Sequence, residues 1–312
     1  MKNLKIFTVL FIAFSITSNA QNISYKTLKD DPDELRNTSI KILPAYVGVT
    51  TGKESGDIKE DATVPVGWGV ELNLREIPFV KKLGFNMKYL KSYLEIPEKL
   101  DADGEKIRST YFEMGGSFNF YTKEKEIEQR LVLSSSSNGR TTTTNFLEDV
   151  SMTQKTHFDV TGGIFRVKSP VEIANVTSVV TAFGVYGGLR FTNKVNYSAL
   201  VSGYGIKKFA ARNSWYVNAM YAPSIEYTDE TSTYIPGTTV FETKKVMDSI
   251  GLINNLGFVL GYELEFFPNK RVSMSVPFEL GIKPPFNGYY IYMGFSLNIN
   301  LNVTPKMFAK KD

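Results

Sequence analysis

The sequence has no cysteine and a single histidine in 312 residues. The lack of cysteine excludes a disulfide framework and a thiolate metal site. Long apolar runs are also missing. After Gln21 no stretch approaches the roughly eighteen uninterrupted apolar residues of a helical membrane span. If the mature chain enters a membrane, it does so as a closed barrel, because in lipid only helices and barrels satisfy every backbone N–H and C=O. Net charge is small, +4, which argues against the dense basic surface of a nucleic-acid binder. What is present is apolar material: 42% hydrophobic and 13% aromatic residues, enough to exclude wholesale disorder.

The first twenty residues have the layout of a secretory signal. Lys2 and Lys5 supply a positive start, residues 6–16 are apolar but for Thr8 and Ser15, and Ser18-Asn19-Ala20 places small residues where a signal peptidase reads. Cleavage is expected between Ala20 and Gln21. Loss of the two lysines brings the formal charge to +2. An exported chain without disulfides needs another source of stability, and a closed ladder of backbone hydrogen bonds is one. Residues 21–38 carry no periodicity and read as a polar periplasmic arm.

From residue 39 a period of two dominates. In the last segment Ile291, Met293, Phe295, Leu297, Ile299 and Leu301 share one face, while Tyr290, Tyr292, Gly294, Ser296, Asn298 and Asn300 form the other. Segments starting at Val66, Phe112, Phe158, Val179, Trp215, Leu256 and Val272 repeat the pattern, each with its charges confined to one face. Weaker candidates cover 39–50, 83–94, 127–135 and 195–206, Pro44 blurring the first. The expectation is therefore an all-β chain of about twelve antiparallel strands, within a range of ten to fourteen.

Connections alternate in length. Residues 51–63, 95–108, 136–154 and 228–253 are long and polar, whereas 75–82, 121–126, 168–174, 207–213 and 268–271 are short. Outer-membrane barrels show this asymmetry, with short periplasmic turns and long external loops. Two connections, 192–194 and 284–288, are short on the long-loop side. A two-layer sandwich also alternates. Strands of ten residues or more exceed the usual ~5–6 of globular sheets and suit a membrane crossing. The polar faces are rich in Gly, Ser, Asn, Ala and Tyr, and aromatics such as Trp215, Tyr227, Phe266, Phe267 and Tyr289 gather near strand ends.

On these segments the chain resembles the bacterial outer-membrane β-barrel superfamily, as a small porin-like barrel. The resemblance covers the mature chain and rests on pattern rather than on a motif. It implies a signal peptide (1–20), a periplasmic arm (21–38), a transmembrane β-barrel (39–303) and a C-terminal tail (304–312). It also implies residence in the outer membrane, contact with lipid and lipopolysaccharide, insertion by the barrel-assembly machinery, and passage of a small polar solute or a structural envelope role. The chain departs from the family's terminal aromatic: Phe308 stands near the end but beyond Pro305.

Candidates for chemistry are few. His157 and Asp159 form the one conventional acid–base pair, two residues apart and so on one face of a strand. They define an alternative reading as an outer-membrane hydrolase, although no serine elbow accompanies them. A third reading is a surface binding scaffold acting through the long external loops. Glu71, Glu113, Asp159, Arg190, Glu226, Glu263, Glu265, Glu279 and Lys283 fall on the expected inward faces, with Lys41 and Lys88 as partners. They form either a charged constriction or, the preferred reading, a cross-strand network that fills a narrow barrel. Asp101-Ala102-Asp103-Gly104-Glu105 matches a calcium loop poorly. The pairs Gly115-Gly116, Gly162-Gly163 and Gly187-Gly188 suit strand curvature or a neighbouring tyrosine, not a phosphate. No cofactor and no metal are expected. Ser134–137 and Thr141–144 flank Asn138-Gly139, a hairpin tip.

Overall fold

Ten long strands close on themselves in the computed structural model, which describes residues 23–35, 38–50, 54–55, 58–59, 63–74, 82–98, 106–139, 141–173, 176–229, 254–269, 271–286 and 288–301. In chain order the strands are β1 (Tyr25–Asp30), β2 (Thr38–Thr50), the two-residue pair β3 (Glu54–Ser55) and β4 (Ile58–Lys59), β5 (Val64–Leu74), β6 (Leu83–Ile96), β7 (Thr110–Ser137), β8 (Thr142–Ile173), β9 (Val176–Val201), β10 (Gly205–Asp229), β11 (Leu256–Phe266), β12 (Val272–Ile282) and β13 (Tyr289–Leu301). Neighbours pair antiparallel from β2 through β5 to β13, and β13 returns to β2, with Met293 opposite Val47. β1 lies outside this ring, paired with β9. The expected signal segment, the Asp101–Glu105 turn and the tail at 304–312 lie outside the described residues.

The barrel therefore has ten strands rather than about twelve. Two expected strands, 112–120 and 127–135, are one strand, β7. Residues 195–206 span the end of β9, a tight turn at 202–204 and the start of β10. The segments at 121–126, 192–194 and 207–213 are strand interior, not turns. The reason is solvation. Lys123-Glu124-Lys125-Glu126 places charge on both faces, and these residues are exposed. Alternation lapses there while the backbone ladder continues, with Glu124 opposite Lys155 and Ile127 opposite Met152.

Merging these strands also reverses one end. The 136–154 connection, expected among the external loops, is a hairpin closed at Ser137–Thr142 around Gly139 (φ +82°), and it projects from the end at which the ring's first strand, β2, begins and its last, β13, stops, the terminal end of the described ring. Residues 119–137 of β7 and 142–155 of β8 run beyond the ring as a ribbon. The end of β9 and the start of β10 lie against it, and β1 pairs with that end of β9. Leu131, Leu133, Val150 and Met152 of the ribbon close a second core with Val195, Tyr197, Ala199 and Val201 of β9. The N-terminal arm is stapled in place. The Asp30 carboxylate accepts the Thr153 N–H at 2.9 Å and its hydroxyl at 2.7 Å, and Asn196 donates to the Asp31 carbonyl at 2.8 Å.

Within the ring the two faces differ sharply. Phe258, Leu260, Met293 and Phe295 on the outside are 42–56% exposed, whereas Tyr292, Ser296 and Asn298 on the inside are fully buried. Aromatics pair directly across six consecutive strands: Tyr121 with Phe158, Phe158 with Phe191, Phe191 with Trp215, Trp215 with Tyr262, and Tyr262 with Phe278. Barrel strands tilt by about 35–45°, so this row climbs around the wall as a spiral. On β7 to β9 it meets the base of the ribbon. Prolines fall where the ladder yields. Register shifts occur between Leu43 and Tyr46, beside Pro44, and between Tyr221 and Ser224, beside Pro223.

At the end opposite the termini, Glu98 accepts a hydrogen bond from Lys106 at 2.8 Å and lies 3.6 Å from Arg108. The Lys106 bond, more than any other influence, holds the Glu98 carboxyl below its ordinary pKa. A depressed carboxylate stabilises the folded loop above the unfolded pKa, and the effect is lost as pH falls through the lower folded value. Proteolytic nicking of the 97–109 loop should accordingly speed up on acidification below the usual carboxylate range. Glu98→Gln should remove that pH dependence, by a factor of no more than about five for so exposed a pair. Equal acid sensitivity in the variant would refute the assignment.

Candidate functional site

Polar side chains on the inner faces of β2, β5, β6, β7 and β10 to β13 meet across the lumen. Alternation brings them there, and burial forces them to pair, since an uncompensated charge in a water-poor interior is costly. The network has two tiers. In the lower, Arg212 of β10 pairs with Glu265, its direct cross-strand neighbour on β11, both side chains about 1% exposed. Glu265 also accepts from Ser273 and, at 3.0 Å, from Asn298. Lys41 bonds Glu263 and lies 3.4 Å from Glu71. Ser275 donates to Glu263 at 2.8 Å and contacts Ser296 at 2.6 Å.

The upper tier centres on Glu279. One carboxylate oxygen accepts from Lys88 at 2.8 Å and from the Tyr216 hydroxyl at 2.7 Å, and the other accepts from Lys283 at 2.8 Å. The Lys283 ammonium lies between two rings, 4.2 Å from the centroid of Tyr111 and 4.3 Å from that of Tyr290. The Lys88 ammonium stands 4.5 Å over Tyr292. Glu113 accepts from the Tyr111 hydroxyl at 2.6 Å and from Asn86 at 3.2 Å. Arg190 stacks 5.2 Å over Tyr216 and pairs in register with Asp159. Cation–ring contacts of this kind strengthen when desolvated.

Glycines make room for the tyrosines. A Cβ on Gly261 would fall inside the Tyr216 ring, and one on Gly115 would collide with the Tyr186 hydroxyl. Gly261→Val is expected to lower stability by about 1–3 kcal/mol through overpacking and to displace Tyr216 from Glu279. The urea midpoint of the heat-modifiable folded band on a gel reads the loss. An unchanged midpoint would show that Tyr216 is not fixed there.

Of the inward residues expected from the sequence, Glu71, Glu113, Asp159, Arg190, Glu263, Glu265, Glu279 and Lys283 do line the lumen. Glu226 does not. It is exposed, because the irregularity between Tyr221 and Ser224 inverts the parity of β10 above it. Arg212, absent from the expected set, was hidden because 207–213 reads as a turn. The signal available was its shared parity with Tyr216 and Asn218.

His157 and Asp159 share the inner face near the ribbon, with Asn119 between them. Asn119 donates to Asp159 at 2.8 Å, and the His157 Nδ1 faces the Thr122 hydroxyl at 3.2 Å. That hydroxyl donates to the Asn119 side-chain oxygen at 2.9 Å, and the Asn119 amide lies 3.5 Å from the same Nδ1.

The network leaves little space. The cavity among Glu71, Lys88, Glu113, Arg190 and Glu279 holds about 40 Å³, and a second, nearer the end away from the termini, about 80 Å³. At roughly 10–15 Å³ per water in this measure, the first admits a few waters and no solute.

No protein-family model matches the chain, and no curated protein matches it. Among solved structures it shows a distant likeness to the TodX monoaromatic hydrocarbon channel, in a deltaS2 mutant, at 8% identity with a TM-score of 0.23, covering 85% of this chain and 90% of that one. OpdQ of Pseudomonas aeruginosa gives 8% identity and a TM-score of 0.19, covering 85% and 97% of the two chains. OprB of Pseudomonas putida, in its low-pH structure, gives 7% and 0.15, covering 86% and 93%.

Proposed function

We propose that this protein is a bacterial outer-membrane β-barrel whose lumen is closed by its own side chains, a sealed envelope component rather than an open diffusion pore. The observation that carries the reading is the division of faces: the outer face of the ring is mainly apolar and exposed, whereas the inner faces carry the buried ion pairs and hydrogen-bonded polar groups beside an apolar cluster that includes Leu43, Leu90, Phe165 and Val259. Monomeric soluble proteins rarely leave continuous apolar surface of such extent in water, whereas a barrel in lipid requires it. Ten strands fall between the small barrels that side chains fill and the wide porins that hold water. The small deep cavity, about 40 Å³, supports the filled reading.

The orientation follows the same logic. The ribbon of β7 and β8 carries charge on both faces and so belongs in water, on the periplasmic side together with the termini. Reconstitution into planar bilayers tests the closed state. Folded protein should give no stepwise conductance of porin size. Frequent large steps from a folded, unmodified sample would refute the sealed reading and restore an open pore.

A further inference from the structure

The cavity at the mouth away from the termini has a chemistry of its own. It measures about 80 Å³ and opens between β2, β5, β6, β7, β8 and the β12–β13 connection. Its walls are largely apolar: Leu90, Val167, Pro284 and Phe286, with the rings of Tyr111 and Tyr290, and Lys168 also borders it. At its base is Lys283, which, like Tyr111, lines both this cavity and the deeper one and so forms the partition between them. The Lys283 side chain is 10% exposed.

Both signs of charge meet at that partition. Lys88 and Lys283 both draw on Glu279, each at 2.8 Å. The next carboxylate, Glu113, is engaged by Tyr111 and Asn86. Lys283 thus meets the apolar chamber from a base where electrostatic attraction is weakly screened. The Ser109 and Ser169 hydroxyls, 3.2 Å apart, add polar groups at the rim.

We propose that this chamber binds a small organic monoanion, a carboxylate on a compact apolar body. The carboxylate would meet the Lys283 ammonium, and the body would lie against Leu90, Val167 and the two tyrosine rings. A volume equivalent to about six waters excludes nucleotides and oligosaccharides. An inorganic anion would leave the apolar walls unused, and a neutral apolar solute would leave Lys283 unanswered. The site does not depend on conduction, since the ligand stops above the partition.

Isothermal titration of the folded, detergent-solubilised protein with benzoate tests the proposal, with benzyl alcohol and inorganic phosphate as comparison probes. Saturable 1:1 binding of benzoate is expected, at least about ten-fold tighter than either comparison probe, as a charge-assisted contact supplies. Lys283→Met should weaken benzoate by a similar factor. Ser169→Phe, which obstructs the rim and leaves every ion pair intact, should do the same and serves if Lys283→Met fails to fold. No saturable benzoate binding by folded protein, equal binding of benzyl alcohol, or full affinity in a folded Lys283→Met or Ser169→Phe variant would each overturn the proposal.

Discussion

Arg212→Ala is expected to lower the stability of the folded barrel by about 3–5 kcal/mol, the cost of leaving a buried charge without its partner. Arg212 and Glu265 lie opposite each other on β10 and β11, with side chains about 1% exposed. Water cannot reach Glu265 to replace the guanidinium, and its remaining contacts, Ser273 and Asn298, are neutral donors. The double variant Arg212→Met/Glu265→Gln should recover most of the loss, because the amide oxygen still accepts from both donors and no charge remains. The urea midpoint of folded protein in vesicles, read by gel mobility without heating, measures each variant. A single variant as stable as the parent, or a double variant no better than the single, would contradict the pairing.

The second large effect is expected at Glu279. Removing this carboxylate leaves Lys88 and Lys283 facing each other in the upper tier without the group that holds both, and releases the Tyr216 hydroxyl. Like charges so close repel and recruit water and anions. Glu279→Ala should therefore turn a silent barrel into a leaky one, with membrane conductance rising on the order of ten-fold and anions favoured over cations. Glu279→Gln, similar in size but uncharged, should leak in the same sense and less. A folded Glu279→Ala protein as silent as the parent would show that packing of the tyrosines, not this carboxylate, closes the lumen. A leak that favours cations would show that the remaining glutamates set the lumen's sign.

Much of this arrangement was legible in the sequence where one face of each strand is uniformly apolar, and little where it is not. Between Leu256 and Leu301 the alternation is unbroken because each outward position must be apolar and each inward one must pair or pack. β11, β12 and β13 match their expected ranges closely. The ribbon was opaque for the opposite reason. Both faces of this stretch of β7 carry charge and are exposed, so Lys123 to Glu126 reads as a turn although the ladder passes straight through it. That one misreading split β7, added a strand, and put the 136–154 hairpin at the wrong end. Within the site, parity alone located eight of the charged positions but not Glu226, since a bulge beside Pro223 inverts the faces and leaves no mark on the alternation. The tyrosines of the lumen were visible only as polar-face residues. Their role, resting rings against Lys88, Arg190 and Lys283, needs the three-dimensional register that closes the ring.

The most direct test of the account uses the chain's lack of cysteine. Single cysteines placed in turn at Met293, Phe295 and Leu297, and at Ser296 and Asn298, can each carry a spin label in protein reconstituted into lipid vesicles. The account predicts that labels at 293, 295 and 297 collide freely with oxygen dissolved in the bilayer and hardly at all with a water-soluble nickel chelate. Labels at 296 and 298 should be immobile and shielded from both. Outward labels quenched by the nickel chelate, or held rigid against protein, would mean that something other than lipid covers the apolar face, and the membrane reading would fall.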